Sequence, residues 1–163
     1  MSEVPAWFQR KFEFTFPAEQ YPNLCVGLRG TPARVEDMMW GVSRNVLTEK
    51  PAGKWSAQEH TGHLLDLESL WPARVDDFLG DDDTLTAADL TNRKTHEADH
   101  NSRAVAEILA KFRAARVRLV DSPEWAEVNR RDIQYLRTQN AWLQKHSDPT
   151  QEIGRLFAAS HID

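Results

Sequence analysis

The sequence predicts an all-α protein, a bundle of four principal helices. Three observations point that way. Apolar residues recur at spacings of three and four over long stretches, as in Leu64, Leu67, Trp71, Val75 and Phe78. Helix-start signals stand before these stretches, at Thr31-Pro32, Ser56 and Ser122-Pro123. Period-two alternation is confined to one short run near the amino terminus, Phe12-Glu13-Phe14-Thr15-Phe16-Pro17.

That run reads as an extended arm with one face packed across helices. Tyr21 to Leu28 suits one or two helical turns, stopped at Gly30. Thr31 then reads as an N-cap with Pro32 at the first helical position, and Val35, Met38, Met39, Val42 and Val46 form the apolar face of a first long helix. Pro51 and Gly53 mark its exit loop.

The second long helix is the most informative. Ser56 and Glu59 have the spacing of a capping box, in which the hydroxyl accepts from the Glu59 amide and the carboxylate from the Ser56 amide. The helix runs from Ala57 to about Leu79 and contains Pro72, which removes a backbone donor and is expected to kink it. His63 borders the apolar stripe and points into the bundle or along its rim. The acidic triplet Asp81-Asp82-Asp83 reads as a solvated loop, since the longer ligand pattern of a calcium loop is missing.

Short helical turns are expected between Thr84 and Asn101. A third long helix begins near Ser102, with Val105, Ile108, Leu109, Phe112 and Leu119 on one face and arginines on the other. The last helical region opens at Ser122-Pro123 and carries Leu136, Leu143, His146, Thr150, Ile153 and Phe157 in helical register, which puts His146 on its core-facing stripe.

The chain has 163 residues, 40% hydrophobic and 28% charged, and reads as one domain over residues 1–163. No apolar run approaches the roughly 20 residues that a membrane span needs. Met1 to Arg10 lacks a basic segment followed by an apolar one, so no secretory signal is expected. The single Cys25 excludes an internal disulfide, reads as a small packing residue, and agrees with a cytoplasmic setting. A net charge of −5 argues against nucleic acid as partner, and Arg113, Arg116, Arg118, Arg130 and Arg131 read as solvated helix faces. Six tryptophans leave room for a homodimer interface.

Two histidine patterns bear on chemistry. His96-Glu97-Ala98-Asp99-His100 matches the zinc-protease motif, but its flanks are polar on every side and the match reads as a surface coincidence. His63 and His146 lie instead on or beside the apolar stripes of separate helices, where bundles commonly build metal sites.

The segment Gly53 to Glu68, with Gly30-Thr31-Pro32-Ala33-Arg34 upstream and Ala98-Asp99-His100-Asn101 downstream, resembles the DinB-like superfamily in its bacillithiol transferase-like branch. The resemblance covers nearly the whole chain and implies a four-helix bundle, often dimeric. It also implies a divalent metal, zinc or nickel, held by one histidine of the second helix and a His-x-x-x-His pair of the last. Family members include thiol-dependent transferases and isomerases, and others known only as metal-dependent hydrolases acting on small molecules.

Carried across, the second-helix ligand falls on His63, the first of the later pair on His146 and the second on Thr150. A threonine hydroxyl is a poor ligand for zinc or nickel, and the adjacent Pro149 bends or restarts the helix there. His60, Glu59, Asp66 and Asp148 are the other residues weighed as completing ligands. Asp66 or Glu59 would otherwise assist as a base or as a partner to a ligating histidine. The expected function is a metal-dependent hydrolase or thiol S-transferase with an incomplete three-histidine site. The alternative is a metal-free family member serving as a binding or interaction module.

Overall fold

The computed structural model describes residues 20–132, together with Pro17 and Gln134. These residues form helices joined by turns, and no strand occurs among them. In chain order they are α1 (Tyr21–Arg29), α2 (Thr31–Met39), α3 (Arg44–Thr48), α4 (Ala57–Leu67), α5 (Leu70–Leu79), α6 (Arg93–Glu97) and α7 (Val105–Val120). Residues 123–132 are helical and are called α8 here. Short 3-10 turns at Pro51–Gly53 and His100–Ser102 lie before α4 and α7. None of the described helices is long and apolar enough to cross a membrane.

Helix α7 is the axis on which α1, α2 and α4 pack. Its buried apolar residues Ile108, Leu109, Phe112 and Leu119 are four of the five the periodicity selects, and the fifth, Val105, is half-buried. A second cluster joins three helices, with Val75 of α5, Leu119 of α7 and Val128 of α8 at its centre and Trp71, Leu79 and Trp125 around them. At the start of α8 the Ser122 hydroxyl accepts from the Trp125 amide at 3.1 Å, a cap that agrees with the Ser122-Pro123 signal. The extended arm over residues 12–16 and the later part of the last helical region, with Leu136, Leu143, His146, Thr150, Ile153 and Phe157, lie outside the described residues.

The second long helix is interrupted as its proline requires, but upstream of the proline itself. The break falls at Glu68 and Ser69, between α4 and α5. Pro72 has no N–H to give the Glu68 carbonyl four residues earlier, and its ring crowds that oxygen. The Glu68 amide donates to Leu65 O at 3.1 Å, three residues back, closing α4 with a tighter turn. Pro72 thereby sits in the first turn of α5, where a missing donor costs little.

The first long helix is not continuous. α2 stops at Met39, Gly41 follows with φ +74°, and only the short α3 comes after. The left-handed residue turns the chain where unbroken helical register was expected. Met38 is accordingly 80% exposed and Val46 58%, so the stripe drawn through them is not a buried face. Thr31 is also not the cap. It lies inside α2, and its hydroxyl donates to Gly27 O at 3.1 Å, joining α2 back to α1.

Arg116 corrects the picture of α7 as apolar on one side and solvated on the other. It is buried, four residues after Phe112 on the inward face. Its Nε donates to Glu68 Oε1 and Oε2 at 3.1 and 3.0 Å, its Nη2 also donates to Oε1, and its Nη1 reaches Leu28 O at 3.3 Å. One guanidinium thus ties α7 to the end of α4 and to α1. Arg113, Arg118, Arg130 and Arg131 are exposed, as expected.

Candidate functional site

The site is assembled along α4, from its cap at Ser56 to Asp66. Ser56 Oγ accepts from the Glu59 amide at 3.1 Å, and Glu59 Oε2 accepts from the Ser56 amide at 2.9 Å, so the capping box is formed in full. The same Ser56 hydroxyl donates to Asn101 Oδ1 at 2.8 Å. Gln58, fully buried, donates through Nε2 to His100 O at 2.6 Å and Arg103 O at 2.9 Å. From the other side Arg44 Nη2 donates to Asn101 O at 2.8 Å. These bonds fasten the turn around His100 to the start of α4.

Asp99, just before it, has φ +45°, and this reversal carries His100 inward. His100 is 1% exposed and occupies the space beside Gly62, where a Cβ would overlap Cγ, Cδ2 and Nδ1 of its ring. Glycine is needed at this point of α4 for the imidazole to come so near the helix backbone.

A continuous polar chain starts from that ring. His100 Nε2 lies 2.8 Å from Asp66 Oδ2, Thr95 Oγ1 donates to the same oxygen at 2.9 Å, and His63 Nδ1 lies 3.0 Å from Thr95 Oγ1. Asp66 is one turn beyond His63 on α4, and Thr95 comes from α6. A carboxylate oxygen only accepts, so the single Thr95 proton goes to Asp66 and the hydroxyl oxygen accepts from His63 Nδ1–H. With that arrangement the neutral His63 ring would carry its proton on Nδ1. Its Nε2 makes no hydrogen bond among the described residues.

His63 is half-buried, and this burial pushes its pKa below the usual imidazole value; Asp66 opposes the shift, while the charges of His60 and His100 add to it. Trp55 stands over the outer side, its ring centroid 5.0 Å from that of His63, 5.4 Å from His60 and 5.3 Å from His96. The indole thus gathers three imidazoles at the rim. Glu59 is engaged twice, in the capping box and with Lys50 Nζ at 2.6 Å. Burial alone would raise its pKa, but the bonds from Lys50 and the Ser56 amide outweigh that and leave it lowered, which makes it a poor base.

Of the two predicted ligands, the structure describes His63, while His146 lies outside the described residues, as do Asp148, Pro149 and Thr150. Among the described residues no group of three or more His, Cys, Asp or Glu side chains is arranged to hold a metal. His63 meets the requirements of one ligand, a neutral imidazole with its second nitrogen engaged and a lone pair left over.

The His96 to His100 match does not lie on one helix as the zinc-protease motif requires, because α6 ends at Glu97. His96 is exposed at the rim, and His100 is interior. His100 is therefore not a surface residue, contrary to the reading from its polar neighbours. That reading missed Thr95 and His100 because their partners lie far along the chain. The signal it had was Gly62, a helix-weakening residue set inside α4 beside a histidine. Comparison of the chain with family models, curated proteins and solved structures gives no match.

Proposed function

We propose that this chain is a metal-dependent enzyme of the DinB-like type, a hydrolase or thiol-dependent transferase on a four-helix bundle, with His63 and His146 as ligands to a divalent ion. The observation that carries the reading is the state of His63. It sits on α4, its Nδ1 is engaged with Thr95, and burial favours the neutral ring that a metal requires. A carboxylate, backbone carbonyl or water at the second nitrogen is the usual support of a metal-bound imidazole, and here the Thr95 hydroxyl links that nitrogen to the Asp66 carboxylate.

Zinc or nickel bound there would lower the pKa of a water or of a low-molecular-weight thiol and so supply a nucleophile for a small-molecule substrate. The chain's own part is to hold His63 in place, to keep it unprotonated, and to cover one side of it with Trp55.

Elemental analysis of the purified full chain, followed by titration with zinc, nickel and manganese, tests the reading. Binding tighter than that of the His63→Ala, His146→Ala double variant is expected. Equal binding by the two proteins overturns the enzyme assignment and favours the metal-free interaction module, for which Thr150 at the third ligand position is the argument.

A further inference from the structure

We infer that Thr95, Asp66 and His100 form a positioning chain that selects the Nδ1–H tautomer of His63 and thereby keeps Nε2 as the nitrogen that carries the lone pair. The consequence for metal binding rests on the function proposed above; the tautomer assignment does not.

Three features make the chain directional. Thr95 is buried, so its hydroxyl has no bulk water to turn to and its one proton is committed to Asp66. Asp66 Oδ2 receives a second donor, Nε2–H of His100, so the same oxygen is held by both residues. His100 is in turn fixed by Gly62 against its ring and by Gln58 on its carbonyl. The Nδ1 of His100 is fully buried with no hydrogen-bond partner among the described residues. A buried polar atom left unpaired is costly, and among the described residues the polar side-chain contact of this ring is with Asp66. A ring held only to fill space would be better served by an apolar residue. His100 thus acts on Asp66, and Asp66 acts on His63 through the Thr95 hydroxyl. These are positioning residues, and none of them need touch a substrate.

Long-range proton–nitrogen correlation on the 15N-labelled full chain, kept metal-free with a chelator above the imidazole titration range, reads the tautomers directly. His63 is expected to show a protonated Nδ1 and a bare Nε2, and His100 a protonated Nε2. The wild-type spectrum decides the assignment even if no variant folds, because His63 protonated on Nε2 overturns it. Thr95→Val, which keeps the side-chain shape and removes the hydroxyl, should move His63 to the Nε2–H form or to a mixture, and Thr95→Ser should restore it. An unchanged His63 pattern in Thr95→Val also overturns the inference.

On the same proteins, zinc affinity should fall roughly 10- to 100-fold in Thr95→Val and recover in Thr95→Ser. Wild-type zinc binding no tighter than that of the ligand double variant sinks the metal reading alone and leaves the tautomer result standing.

Discussion

The imidazole of His100 occupies the place where a side chain on Gly62 would begin. Two opposed effects therefore meet at one position of α4. In an ordinary helix interior Gly→Ala stabilises by roughly 1 kcal/mol through backbone entropy. Here the new methyl must displace a ring that is fully buried and fastened through its backbone, and such overpacking costs about 1–3 kcal/mol. Gly62→Ala is thus expected to lower the urea midpoint. In a His100→Ala background the obstruction is gone, and the same substitution should be neutral or stabilising. Midpoints for the four proteins of this cycle give the coupling, and a Gly62→Ala protein more stable than wild type would mean that the ring is not held there.

The Glu68–Arg116 pair is buried on both sides, with side-chain exposures of 3% and 8%. Removing one partner leaves the other charge without compensation, so Arg116→Met or Glu68→Leu alone should each cost about 3–5 kcal/mol. The double variant should recover much of that loss, since replacing a whole buried pair by apolar side chains is often near neutral. Arg116→Lys is not expected to rescue, because an ammonium cannot span both carboxylate oxygens and Leu28 O together. Denaturant unfolding measures all four. Single-variant losses below about 1 kcal/mol, the range of exposed pairs, would contradict the burial.

Gln58 offers a local test of how the His100 turn is fastened. Its amide satisfies the carbonyls of His100 and Arg103, and Gln58→Leu fills the space while leaving both oxygens without that donor. The expected cost is about 1–3 kcal/mol per buried group left unpaired. Amide exchange should quicken in the turn at residues 99–103 more than in the middle of α7. Uniform acceleration across the chain would show instead that the turn opens only with global unfolding.

These tests fall where local pattern and long-range packing part company. The start of α4 was legible because a capping box is written within four residues, and the face of α7 because helical periodicity is local. The break near Pro72 was foreseen in kind, its place at Glu68 following from the carbonyl four residues back. What periodicity could not give was the end of α2, since nothing in Val35 to Val46 shows that Gly41 takes a positive φ. Arg116 was misread for a related reason. A guanidinium is buried only when a carboxylate and a carbonyl from other helices arrive to meet it, and Glu68 is 48 residues away. For the candidate site the sequence singled out His63 and Asp66, but the link between them passes through Thr95, whose burial depends on how the chain from Gly80 to Asn92 returns to α4.

The last expectation concerns Glu59 and acid. Its carboxyl pKa is lowered from an ordinary 4.5, because the Lys50 ammonium and the Ser56 amide favour the charged form more than burial disfavours it. A carboxylate with a lower pKa folded than unfolded binds fewer protons in the native state, so its contribution is complete above 4.5 and is lost as pH falls through the folded value. The stability difference between wild type and Glu59→Gln should therefore be largest near neutral pH and shrink on acidification. Lys50 is exposed, so Lys50→Ala should remove only a small part of the difference. Ser56→Ala removes the other half of the box together with the bond to Asn101, and it should cost about 2 kcal/mol, the upper end for a cap. Urea midpoints over a pH series check the set, and a wild-type minus Glu59→Gln difference that grows toward acid would show that burial, not the cap and Lys50, governs this carboxylate.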